Sequence, residues 1–225
     1  MALKQKTPPA SEPVSLAETK SYLKVTDTTD DVLISQMISA VRKSCEDWTG
    51  RVLVTQTWTL WRDAFPHRGK DRLPHDGYFE LPVDYADEAQ RVIAIPRPPL
   101  QSVTYLKTYN TGNQVSTFDA GKYYVDTASE PGRIVLNASS AWPTGLRLAN
   151  AVEIEFVAGY GDASAVPDAL KQGMLWWLKL LYADRNWLFE VGESTAGLIE
   201  FNRNDVPPPV VSLWSPYKIY SLDPR

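Results

Sequence analysis

The sequence predicts an α+β protein. Helices from the N- and C-terminal parts of the chain form a small helical domain, an antiparallel β-domain is inserted between them, and an extended C-terminal tail follows. Three observations predict this. Apolar residues recur at helical spacing in "DDVLISQMISAVRKSCEDWTG" and again in "PDALKQGMLWWLKLLYADR". Between them the period changes to two, and strand-like runs follow one another with turn signals and no intervening helix. Consecutive strands without crossover helices make antiparallel sheets, sandwiches or small barrels. The expected boundaries are 1–13 for a flexible N-terminal arm, 14–51 and 161–186 for the two parts of the helical domain, 52–160 for the inserted β-domain, and 187–225 for a docking tail.

Each element has a local reason. Residues 1–13 are polar and carry Pro8, Pro9 and Pro13, as an extended arm does. Ser15 and Glu18 have the spacing of a capping box, so a short helix runs from Leu16 to Leu23. In the next helix Ile34, Ile38, Val41, Cys45 and Trp48 share one stripe. Asp30 and Asp31 suit the positive end of its dipole, and Gly50 suits the left-handed residue that closes it. Two helices leave apolar surface uncovered. A third, begun at Pro167 and carrying Leu170, Met174, Trp177, Leu178 and Leu181, is the natural cover. The strand candidates are "VLVTQTWTLW", "YFELPV", "RVIAIP", "SVTYLKTY", "YYVDT", "RIVLN" and "AVEIEFVA". Turn signals at Asn110–Asn113 and Glu130–Gly132 separate some of them.

Composition narrows the function classes. The 225 residues carry a net charge of −4, which exerts no global pull on nucleic acid or an anionic membrane. Eight Trp and eleven Tyr exceed what one core needs, and surplus large aromatics collect at protein–protein contacts. The single cysteine excludes an intrachain disulfide framework and reads as a buried, inert thiol. No window reaches the ~18 apolar residues that span a bilayer, and the start lacks the apolar core of a signal peptide. No membrane partner is expected, and the chain is expected to stay in the cytoplasm of the cell that makes it.

The constellations that carry chemistry elsewhere are weak here. Gly159-Tyr160-Gly161 precedes a helix, but the Lys-Ser/Thr of a phosphate loop is missing and Asp162 would repel a phosphate. A tight turn explains it better. His67 and His75, with Asp71 and Asp76, match no closed zinc spacing and read as a solvated loop. Glu153 and Glu155 fall on one face of a strand, as the solvated side of an antiparallel sheet requires. Asp84, Asp87 and Glu88 read as a surface turn. No catalytic residue, metal site or cofactor is expected.

Taken in order, several stretches resemble the phage head–tail connector proteins, also called adaptors, which sit beneath the portal. They are "PVSLAETKSYLKV", "DDVLISQMISAVRKSCEDWTGRVLVTQTW", "IPRPPLQSVTYL", "YYVD", "PGRIVL", "WP", "FVAGYGDASAVPDALKQGMLWWLKLLYADR" and "LWSPYKIY". The resemblance runs from about Pro13 to Tyr220 and rests on order and spacing. It departs from the family between Trp187 and Pro209, a stretch longer and less regular than the family's usual path. It implies a non-enzymatic homo-oligomeric ring, usually a dodecamer. Such a ring binds the portal protein above and a stopper or tail-completion protein below. Double-stranded DNA passes through its lumen without sequence-specific binding. The location implied is the head–tail interface of a virion assembled in the host cytoplasm.

The resemblance also places the C-terminal segment against the portal. Leu213, Trp214, Tyr217, Ile219 and Tyr220 crowd five large side chains into eight positions after the stiff Pro207–Pro209 run, as a docking element would. The alternative is that this segment folds back as a final core helix. The loop with His67, Arg68, Lys70, Arg72 and His75 is the expected contact with the stopper or tail protein. A carbohydrate-binding β-domain is the rival reading, because exposed Trp and Tyr also stack on sugars. It leaves the helical frame unexplained. A hydrolase comes last, for want of a nucleophile, base or metal set.

Overall fold

The computed structural model describes residues 1–66, 91–183 and 206–219. The chain is an α+β mixture that divides into two compact units. One is built from Met1–Pro8 and Gln56–Gly159, the other from Pro9–Thr55 and the described part of Tyr160–Arg225.

The helical unit begins at α1, Leu16–Leu23. The Ser15 hydroxyl accepts from the Glu18 amide at 3.1 Å, and the Glu18 carboxylate accepts from the Ser15 amide at 3.4 Å, so the capping box is complete. Helix α2, Asp31–Thr49, closes at Gly50 with φ 72°. Asp30 precedes it without capping it and instead accepts a hydrogen bond from the Tyr182 hydroxyl at 2.6 Å. Ile34, Ile38, Val41 and Cys45 are buried along one stripe. Helix α3, Asp168–Ala183, brings Leu170, Met174 and Leu178 into the same cluster, with Trp48 and Trp177 packed at its border. Leu181 does not join it and is 37 % exposed. The buried stripe of α2 starts only at Ile34, and Tyr182 takes the contact with the start of that helix, so the last turn of α3 keeps a leucine outside.

Of the two sequence readings of the C-terminal segment, an extended docking tail and a final core helix, the described residues take the second: Pro208–Trp214 form a helix, α4, followed by a 3-10 turn over Ser215–Tyr217. Pro208 and Pro209 open the helix, where a missing N–H costs nothing. Val210 and Trp214 stand one turn apart and are both fully buried. The indole N–H of Trp214 donates to the Leu170 carbonyl at 3.2 Å. Its ring lies over Gly173, where a β-carbon would come within 2.2 Å of Nε1. Trp48 and Trp177 flank it at 6.2 and 5.6 Å between ring centroids. Beyond α4, the Ile219 amide donates to the Thr49 carbonyl at 2.8 Å and Arg51 Nε donates to the Tyr217 carbonyl at 2.5 Å.

A buried charge network holds the start of the unit together. The Arg42 guanidinium donates to Glu12 at 2.7 Å and to Glu46 at 2.8 Å. The other oxygen of Glu46 accepts the Leu53 amide at 3.1 Å. Buried ions persist where each has partners of this kind. Val52 and Leu53, read from the sequence as the start of a strand, are instead buried core residues of this unit.

The β-unit holds two antiparallel sheets. Five strands run in the order β1 (Ala2–Thr7), β2 (Gln56–Arg62), β8 (Val152–Ala158), β4 (Leu100–Tyr109) and β5 (Val115–Thr117). Three more run β3 (Val92–Ala94), β7 (Arg133–Leu136) and β6 (Tyr123–Asp126). Register places Leu60 opposite Ile154 and Trp58 opposite Phe156, so one face of β2 and β8 is apolar. Leu60, Leu106, Ile154, Phe156, Ile93 and Ile134 form the buried core of the unit. The flexible arm expected over residues 1–13 is corrected for its first half: Ala2–Thr7 pair with β2 and cover an edge that would otherwise present unpaired amides. The strand expected at "YFELPV" lies outside the described residues.

Candidate interaction surfaces

The turn at Gly159-Tyr160-Gly161 is a structural joint by its hydrogen bonds. Gly159 and Gly161 have φ of 126° and 134°, which L side chains rarely adopt. The Gly159 amide donates to the Pro99 carbonyl, the Tyr160 amide to the Leu53 carbonyl, and the Gly161 carbonyl accepts from the Thr55 amide and hydroxyl. Asp162, exposed at the start of a 3-10 turn, accepts from the Ser164 amide and hydroxyl and from the Ala165 amide. These bonds hold its pKa below the usual carboxylate value, the Ser164 hydroxyl contributing most. The turn therefore presents a carboxylate, with the Ser164 and Ala165 amides already spent on its Oδ1, where a phosphate loop would offer free amides.

On the polar face of the five-stranded sheet the expectation of two solvated carboxylates is corrected: Glu155 is buried and Glu153 half-buried, each held by its own partners. Both oxygens of Glu153 accept tyrosine hydroxyls, from Tyr105 at 2.8 Å and Tyr109 at 2.6 Å. Glu155 is ion-paired with Lys6. Burial, and then the Glu153 carboxylate, push the Tyr105 hydroxyl well above its ordinary pKa, so it stays a neutral donor. Tyr109 is pushed the same way, chiefly by its bond to Glu153. Lys107 lies 4.0 Å from the Tyr105 ring centroid. A shallow groove of about 380 Å³ lies here, bordered by Lys4, Lys6, Trp61, Tyr105 and Glu153. Its carboxylates are satisfied within the sheet, which leaves little to grip the hydroxyls of a sugar.

The tail residues separate. Trp214 is fully buried, whereas Leu213, Tyr217 and Ile219 are half-buried, Leu213 and Tyr217 being packed against the helical core. Tyr220 lies outside the described residues, as does the loop with His67, Arg68, Lys70, Arg72 and His75. Among the described residues, no three His, Cys, Asp or Glu side chains are grouped to hold a metal ion, and no helix is long and apolar enough to cross a membrane. One surface was not legible beforehand. Leu148, on the loop before β8, is 96 % exposed. A single leucine in a polar loop carries no periodic signal.

No family model and no curated protein sequence matches the chain. Solved structures do match. A chain in the neck of an empty GTA particle computed with C6 symmetry is 17 % identical, with a TM-score of 0.68 over 99 % of this chain and 97 % of that one. A chain of the virion of a native gene transfer agent (GTA) particle is 19 % identical, with a TM-score of 0.65 and the same coverage. A chain in the neck of the native GTA particle computed with C12 symmetry is also 19 % identical, with a TM-score of 0.62 over the same shares. At these identities the likeness is one of fold, and it extends over almost the whole of both chains.

Proposed function

We propose that this chain is a structural neck protein of a tailed phage or phage-like particle, and specifically a head–tail connector. Copies form a ring that joins the portal to the stopper or tail and lets double-stranded DNA pass. The observation that carries this reading is the likeness in fold, over 99 % of the chain, to proteins in the necks of GTA particles. Their C6 and C12 symmetries fit a cyclic assembly. A net charge of −4 suits a lumen through which DNA slides without being gripped. The role is non-enzymatic, a reading supported by the matches in fold to chains of particle necks and virions.

The portal contact is assigned to the parts of Leu213, Tyr217 and Ile219 that the helical core leaves accessible. Trp214 serves that contact indirectly, by fixing the segment to the helical core. Half-buried aromatic and aliphatic side chains on a pre-ordered segment lose little entropy on docking. The test is electron microscopy of the purified chain mixed with its portal protein. Class averages with an added ring on one face of the portal are expected; free, unattached chains at micromolar concentration of both would overturn the reading.

A further inference from the structure

Leu148 sits at the tip of a loop built to hold it outward. Gly145 and Asn150 flank it in left-handed conformations, with φ of 70° and 49°. The Arg147 side chain folds back under the tip. Its guanidinium lies 4.0 Å from the Tyr109 ring centroid and donates to the Asn150 carbonyl at 2.7 and 3.2 Å. The Arg147 amide donates to the Tyr109 carbonyl, and the Thr111 amide donates to the Gly145 carbonyl. The Asn150 amide donates to Asp63 at 2.8 Å. Below the loop, Trp142 stacks on Phe65 at 4.5 Å with 6° between the rings. An exposed leucine on a loose loop needs no explanation; one on a loop fastened at this many points is pre-positioned, and pre-positioning lowers the entropy lost in a contact.

The surroundings favour a particular kind of neighbour. The adjoining stretches "NTGNQVST" and "NASSAWPTGL" contain no charged residue. Val115, in the first of them, is a second exposed apolar side chain, 56 % accessible. The charges of Arg147 and Asp63 are engaged inside the loop. These two stretches themselves offer no charge to a phosphate or an anionic lipid. Copies of a chain carrying −4 repel one another, and they approach at least cost where the surface is neutral. A protruding knob is also not complementary to itself. A head-to-tail contact lets each knob enter a different surface of the next copy, and contacts of that kind close into rings, as the ring reading requires.

We propose that the Leu148 tip, with the exposed Val115 of the hairpin to which its loop is bonded, is one side of the head-to-tail contact between neighbouring copies of this chain. This rests on the ring reading above and adds the surface that makes the ring. The test uses the full-length chain. Sedimentation velocity compares the wild type with Leu148→Asp, Leu148→Ser and a control, Leu180→Gln, which changes an exposed leucine of α3. A photo-crosslinker placed at position 148 then reports which peptide it meets.

The expected result is rings from the wild type and the control, a ring population at least tenfold lower for both Leu148 variants, and crosslinks between copies of the chain. Circular dichroism like the wild type's shows that the variants are folded. Rings that persist in both variants, or crosslinks only to a different protein, overturn this surface and leave the ring reading standing. A wild type that forms no ring, alone or on its portal, removes both.

Discussion

Gly173 and Trp214 are 41 positions apart, and neither is informative without the other. Trp214 reads as a surplus aromatic until Gly173 is seen to leave the notch it fills. Cys45 and the Ser15–Glu18 box were legible because their signals lie within a single helix turn or stripe; the notch was not, because it joins two distant segments. Gly173→Ala is expected to force the indole off its site and cost about 1–3 kcal/mol, as overpacking does. Trp214→Ala is expected to cost about 3–5 kcal/mol. Chemical unfolding of both variants checks this, and an unchanged midpoint for Gly173→Ala would show that the notch is not tight. Asp126 offers a second residue-scale test. Its carboxylate accepts from the Ser129 hydroxyl and from Arg133, both at 2.7 Å, and from the amides of Ala128 and Ser129. The Ser129 hydroxyl first, then Arg133, lower its pKa to about 2. A depressed acid stabilises the fold above its unfolded pKa, near 3.8, and that contribution is lost as pH falls toward 2. Asp126→Ala is therefore expected to lower stability at pH 7 and to flatten its dependence between pH 4 and 2, measured by acid unfolding.

Helices were easier to read than strands, and strands easier than termini. The bounds of α1 follow from its cap, and those of α2 from its stripe and Gly50. The central strands β7 and β8 alternate because one face of each is apolar and buried, whereas β4 carries two bulges that break its alternation. β1 was missed because "ALKQKT" is an edge strand with almost no buried side chain; pairing with β2 is what orders it. Helix α4 was read as an extended tail because three prolines precede it, yet two of them begin it. Seven helical residues do not hold together alone; tertiary burial of Val210 and Trp214 makes the helix. Truncation after Asp205 is thus expected to destabilise the helical unit by roughly 5 kcal/mol or more, from the lost burial of a valine and a tryptophan. Equilibrium denaturation of the shortened chain decides it. A loss under about 1 kcal/mol would mean that α4 is an appendage, free to act only as a docking arm.

For the whole molecule, the sequence pointed to the fold more strongly than to any chemistry, and the reason is physical. In the role proposed, the chain works through surfaces that copies and neighbours cover, and such surfaces need no fixed spacing of reactive groups. What was legible was therefore architecture, through the period change near Val52 and its reversal after Ala158. What was not legible was the outer surface, such as the tip at Leu148, whose meaning depends on the loop that holds it. The central claim is that this chain joins heads to tails. It is tested most directly by deleting its coding sequence in the cell that produces the particle and imaging what assembles. The account predicts heads and tails in normal numbers but unjoined, with joining restored by the full-length chain supplied in trans. Intact tailed particles produced without the chain would contradict it.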